Sequence, residues 1–147
     1  MEEPFHPPLR QRLFSAFLRA LNRVGIAVGP FSFLTVQGRK TRKSYTLPVT
    51  PIKQQGVLFV ISPFGEVSWV RNARAAGVVS LSRGRWHERL AVHELSPQES
   101  APLLKTYLTR FLPFVRSSFA VTPQSNLAEF AAEAPRHPVF QLTQEPD

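Results

Sequence analysis

The 147-residue sequence contains no cysteine. Disulfides, thiolate nucleophiles and Cys-ligated zinc or iron–sulfur sites are therefore excluded, and packing must hold the fold. Histidine is scarce: His6, His87, His93 and His137 never stand in H-x-H or H-x-x-x-H spacing, so no metal site is expected. No apolar run reaches 18 residues, and nothing reads as a membrane span. The first eight residues are acidic and Pro-rich, unlike the basic-then-apolar start of a secretory signal, so a cytoplasmic location is expected. Low-complexity tracts are also missing. With 43% hydrophobic and 19% charged residues, the chain has enough apolar surface to outweigh its conformational entropy.

Acidic residues are rare towards the N-terminus. Eight of the eighteen Lys and Arg precede Tyr45, against only Glu2 and Glu3, and the net charge is +8. Such a field attracts nucleic acid, an anionic lipid surface or a phosphorylated and carboxylated cofactor. The aromatic–basic interleaving of nucleic-acid binders is missing, so no nucleic-acid partner is expected.

The length suits one core. Residues 1–30 read as an N-terminal extension with an amphipathic helix, and 31–147 as the domain proper. Leu9, Leu13, Phe17, Leu21 and Val24 recur at helical intervals. The polar side carries Arg10, Arg12, Arg19 and Arg23, which also suits peripheral contact with an anionic membrane. Six strand-length segments follow: 31–36, 45–52, 57–61, 78–82, 86–95 and 139–142. Turn residues separate them, as in an antiparallel meander that curls into a barrel. Pro48 and Pro51 place the second segment at an edge or a bulge.

Three further helices announce their ends. Ser96-Pro97-Gln98-Glu99 is a capping box with proline at N1, and Asn126 caps a short helix. A third helical face, Trp69, Asn72, Ala73 and Ala76, stops at Gly77.

Two segments carry the chemistry. Gly38-Arg39-Lys40-Thr41-Arg42-Lys43-Ser44 puts four cations and two hydroxyls in one turn, where a phosphate or carboxylate would find charge-assisted donors. A solvated hairpin turn is the plain alternative. Ser62 through Asn72 runs from a strand end through a Gly turn into a helix, a second place for an anion, with Trp69 beside it. No acid–base dyad is visible in the sequence.

With Gly38-Arg39-Lys40-Thr41, Leu47-Pro48-Val49, Ser62 through Ala73, and His137-Pro138-Val139-Phe140-Gln141-Leu142 in this order, the chain resembles the deazaflavin-dependent nitroreductase family of the split-barrel, flavin-binding-like superfamily, over roughly residues 31 to 143. The resemblance implies an α+β split β-barrel (FMN-binding-like) of about six mainly antiparallel strands with the N-terminal helix and three others. It implies coenzyme F-420, whose phosphate Arg39, Lys40 and Thr41 would hold. Tyr45, Leu47, Pro48 and Val49 would run beside the ring system, Ser62 and Pro63 would border it, and Trp69, Arg71 and Asn72 would close the site. Phe114, Val115 and Phe119 stand where family members have a tyrosine-rich substrate loop, which implies an apolar pocket with no phenol. A second departure is Arg42, where relatives commonly carry glycine after the threonine.

The activity implied is hydride transfer from reduced deazaflavin to an electron-poor apolar acceptor such as an enone, quinone or nitro compound. Alternatives on the same fold are an FMN-binding oxidoreductase, and a non-catalytic protein that binds the cofactor, a fatty acid or another small ligand. No catalytic residue and no oligomeric state are singled out.

Overall fold

The computed structural model describes residues 29–145 together with positions 13, 16, 17, 19, 20, 25 and 27. The amphipathic helix expected over Leu9 to Val24 lies, as an element, outside the described residues. Among them no helix is long and apolar enough to cross a membrane.

Seven strands form one antiparallel sheet: β1 (Ser32–Gln37), β2 (Ser44–Val49), β3 (Ile52–Gln54), β4 (Val57–Ile61), β5 (Val78–Arg83), β6 (Trp86–Glu94) and β7 (Val139–Gln144). Their order is β2-β1-β5-β6-β7-β4-β3. The count is one more than the sequence suggests, because the segment 45–52 breaks at Thr50-Pro51 into two strands on opposite edges of the sheet. Proline has no N–H for a ladder, so Pro48 lies in an edge strand, opposite Phe33, and Pro51 lies between strands.

That break also explains the curl. Laid flat, seven strands would separate their edges by about 29 Å, at roughly 4.8 Å per spacing. Val49 and Ile52 are three Cα steps apart, at most about 11 Å at roughly 3.8 Å each. The sheet must therefore roll until β2 and β3 approach at that end, giving a split barrel.

Alternation along the strands fills the interior. Leu34 and Val36 of β1, Val79 and Leu81 of β5, Leu90 of β6, and Phe140 and Leu142 of β7 are all buried in one cluster. Helix α1 (Ser68–Ala76) packs into this cluster with Val70 and Ala73. It stops at Gly77, whose φ of 75° places it in the left-handed region as its N–H closes on Ala73.

A second core lies under helices α2 (Pro97–Val115) and α3 (Leu127–Glu133). The capping box is formed: Ser96 Oγ accepts from the Glu99 N–H at 3.2 Å, and the Glu99 carboxylate accepts from the Ser96 N–H at 3.0 Å. Asn126 caps α3, accepting from the Glu129 N–H at 2.8 Å. Leu104, Leu108 and Phe130 are fully buried at this interface, each Leu contributing about 2 kcal/mol by area. Helix α2 is kinked at Phe111 (φ −113°, ψ 22°), two residues before Pro113. The proline cannot donate to the Thr109 carbonyl, and its ring crowds that oxygen.

Candidate functional site

The loop between β1 and β2 is built for close closure. Gly38 N–H donates to the Lys43 carbonyl at 2.7 Å, and Arg42 N–H donates to the Gly38 carbonyl at 3.0 Å. The Thr41 hydroxyl accepts from the Lys43 N–H at 3.3 Å and lies 2.9 Å from the Tyr45 phenol. A side chain at Gly38 would force its neighbours to move: a Cβ there would stand 2.6 Å from Tyr45 Cε2 and 2.8 Å from Thr41 Oγ1. Arg42 has φ 60°, a region where glycine is at ease and an L side chain is strained. Glycine would occupy this position without strain.

Helix α1 anchors the loop. The side chain of Asn72, only 5% exposed, accepts from the Arg39 N–H at 3.1 Å and from Arg39 Nη1 at 2.7 Å. Thus the two segments singled out in the sequence meet, 33 residues apart. Arg39, Lys40, Arg42 and Lys43 have no carboxylate partner among the described residues, so their field is not cancelled locally.

The remaining residues of the expected cofactor site are distributed as follows. Tyr45 is exposed, Leu47 and Pro48 are half-buried on edge strand β2, and Val49 is buried in the barrel. Ser62 is 1% exposed, its hydroxyl donating to the Gly65 carbonyl at 2.6 Å and its N–H to the Pro138 carbonyl at 2.9 Å. Pro63 follows it in the turn. Trp69 is half-buried and packs on Phe140 with ring centroids 5.8 Å apart, while Arg71 is half-buried on α1.

The second expected anion place holds an acid. Glu66, just before α1, pairs with Arg74 at 2.8 Å, and Arg74 also grips Glu94 with two bonds of 2.7 Å. The hydrogen bond from Arg74, then its charge, hold the Glu66 carboxyl below its ordinary range. The four cations of the β1–β2 loop, by contrast, have no such acid beside them among the described residues.

The three residues expected to line a substrate pocket do not share one surface. Phe114 is 80% exposed, whereas Val115 and Phe119 are buried in the helical core. An open cleft of about 460 Å³ lies nearby, with Pro63 to Glu66 on one wall and Ser118 and Pro135 to His137 on the other.

At the back of this cleft is a pair that sequence reading missed. His137, 1% exposed, lies with Nε2 2.7 Å from Glu133 Oε2 and Nδ1 2.9 Å from the Pro63 carbonyl oxygen. Its ring stacks on Phe119 at 3.8 Å. Glu133 also accepts from the Ala120 N–H at 3.1 Å, and Arg136 Nη1 is 3.6 Å from its other oxygen. The i, i+4 spacing of Glu133 and His137 was the available signal, but it does not separate a buried pair from a solvated one. A carbonyl only accepts, so Nδ1 donates the hydrogen bond to Pro63.

Burial, the largest influence on Glu133, pushes its carboxyl up. The hydrogen bonds from His137 and the Ala120 N–H, with the charges of His137 and Arg136, outweigh burial and hold the pKa below its ordinary 4.5. A carboxyl depressed on folding contributes stability that is complete above its unfolded value and is lost as pH falls through the folded one. The thermal midpoint is therefore expected to drop below about pH 4.5, and to drop less steeply in Glu133→Gln. Parallel melting curves for the two proteins between pH 3 and 6 would show that this carboxylate does not carry the dependence.

Comparison with solved structures gives the same architecture. An F-420-H2 dependent reductase (FDR-A) matches with TM-score 0.57 at 21% identity, over 80% of this chain and 96% of that one. A putative pyridoxamine 5′-phosphate oxidase from Listeria innocua matches with TM-score 0.55 at 9% identity, over 89% and 93%. An FAD-binding protein from Mesorhizobium loti matches with TM-score 0.51 at 14% identity, over 87% and 89%. At these identities the likeness concerns the fold. No curated protein matches the chain. The sequence itself is more specific, because residues 10–114, which include the cationic loop, the Ser62 turn and all of α1, match the F-420H(2)-dependent quinone reductases, and the chain belongs to that family.

Proposed function

We propose that this chain is a coenzyme F-420-dependent oxidoreductase of the split-barrel, flavin-binding-like superfamily, reducing an electron-poor apolar acceptor, a quinone first among enones and nitro compounds. The observation that carries the reading is the β1–β2 loop: four cations with no carboxylate partner among the described residues, closed around Gly38 and anchored to α1 through Asn72. The donor set fits a phosphate, since Arg supplies a planar fork, Lys a point charge and Thr a hydroxyl.

When bound, the reduced deazaflavin supplies a hydride. The residues of the chain do the rest. Arg39, Lys40 and Thr41 would bind the phosphate, with Asn72 setting the orientation of Arg39. The side of β2 from Tyr45 to Val49, the Ser62-Pro63 turn, Trp69 and Arg71 would border the ring system and exclude water from it. Orientation and electrostatics of this kind are the protein's share of cofactor chemistry. Hydride reduction of a quinone also consumes one proton, which can enter from solvent through the open cleft beside Pro63.

FMN also presents a phosphate, and a non-catalytic binder would use the same loop. A fluorescence titration with F-420 and with FMN, followed by single-turnover mixing of the reduced complex with a soluble quinone, separates these readings. F-420 is expected to bind at least about tenfold more tightly than FMN, with affinity falling as salt rises, and to be oxidised on mixing. Equal or tighter FMN binding would overturn the cofactor assignment, and binding without oxidation by quinone, enone or nitro acceptors would make the chain a carrier.

A further inference from the structure

We propose that the buried Glu133–His137 pair is a positioning device for the reaction: through the hydrogen bond from His137 Nδ1 to the Pro63 carbonyl it fixes the Ser62–Gly65 turn, from which α1 runs to the cationic loop. The inference rests on the reading that this turn borders the cofactor.

A buried polar pair is not the cheapest filling for a core, since apolar side chains of similar volume are often as stable or more so. What the pair supplies instead is connection between segments distant in sequence. His137 reaches Pro63, 74 residues away in the chain, and stacks on Phe119. Glu133 holds the ring from below and accepts from the Ala120 N–H. Two bonds of the pair leave its own segment, one to the Ala120 N–H and one to the Pro63 carbonyl.

The turn needs this hold. Ser62 closes it internally on Gly65, and the Ser62 N–H fastens its base to Pro138, but the peptide at its apex is held by His137. Two residues after Gly65 comes Val67, the N-cap of α1, which supplies no side-chain acceptor of its own. The direction in which α1 starts therefore depends on the turn. Asn72 lies on that helix one turn further on, and Asn72 holds Arg39. A continuous set of contacts thus runs from His137 through Pro63 and α1 to the cationic loop. Glu133 and His137 also lie beyond residues 10–114, outside the stretch that places the chain in its family.

The test uses the full chain, with F-420 and a soluble quinone. Glu133→Leu/His137→Phe keeps the packing on Phe119 and removes both buried polar groups, including the donor to Pro63. Its expected behaviour is an unchanged or raised thermal midpoint, F-420 affinity weakened by about tenfold because the turn, α1 and Arg39 lose their fixed placement, and kcat at saturating cofactor lower by about tenfold or more. A folded double variant with wild-type kcat overturns the inference. If the double variant does not fold, two variants in the Glu133→Gln background decide the matter. His137→Asn keeps an amide N–H where Nδ1 stood, whereas His137→Leu has the same shape without a donor. The Asn form is expected to exceed the Leu form in kcat by about fivefold or more, and equal values overturn the inference. Wild-type protein that neither binds nor oxidises reduced F-420 would instead refute the functional reading on which the proposal stands.

Discussion

Asn72→Leu is expected to weaken F-420 binding by about ten- to a hundredfold while lowering the thermal midpoint only slightly. The side chain is buried on α1, and its one carbonyl oxygen accepts both the backbone N–H and the guanidinium of Arg39. Leucine matches its volume and suits a helix, so α1 should persist. A hydrogen bond to a charged group contributes about 1.5–3 kcal/mol when its partners stay buried. Arg39 is exposed, however, and water can replace the lost acceptor, so little of that value should appear as lost stability.

The larger consequence falls on the ligand. With Arg39 released, the loop must be ordered at the moment of binding, at roughly 1–2 kcal/mol for each residue fixed. Ordering one or two residues then costs about ten- to a hundredfold in affinity, since roughly 1.4 kcal/mol is tenfold. Parallel titration and melting of the two proteins check this. A dissociation constant within threefold of wild type would show that Asn72 does not organise the phosphate site.

Gly38→Ala is expected to reduce F-420 affinity by about tenfold, by a different route. The new methyl would clash with Tyr45 Cε2 at 2.6 Å and Thr41 Oγ1 at 2.8 Å. Both obstacles are side-chain atoms of exposed residues and can move outward, so the fold should accommodate the change at a cost of about 1 kcal/mol. Moving them breaks the 2.9 Å Thr41–Tyr45 hydrogen bond and turns the Thr41 hydroxyl out of the loop. A double-mutant cycle with Tyr45→Ala reads this directly. Removing the ring relieves one of the two clashes, so the two substitutions should be clearly non-additive in F-420 binding. Strict additivity would show that the methyl acts elsewhere.

What could be read from the sequence follows from how local each signal is. The caps at Ser96, Asn126 and Gly77 are satisfied within a few residues of themselves, and all three form as expected. Turn residues located the strands, because Gly and Pro between strand-length β-rich segments mark where the chain reverses whatever the topology. The cationic loop was visible because four charges in five residues cannot be buried and must face solvent or an anion. The split of 45–52 was half visible: proline showed that a central ladder was impossible there, but the proximity of β2 and β3 depends on how the whole sheet rolls.

The tertiary structure decided everything that depends on pairing across long separations. Val115 and Phe119 were expected to line a pocket, but an apolar side chain carries no record of which apolar surface it meets, and the structure buries both in the helical core. Arg39 found Asn72 across 33 residues, and His137 found Pro63 across 74. By itself, the sequence determined the elements, their caps and a concentration of positive charge, because those are set by propensity, periodicity and local hydrogen bonding. Only the tertiary structure decided which polar atoms meet, because a hydrogen bond depends on tenths of an ångström that no spacing along a chain encodes.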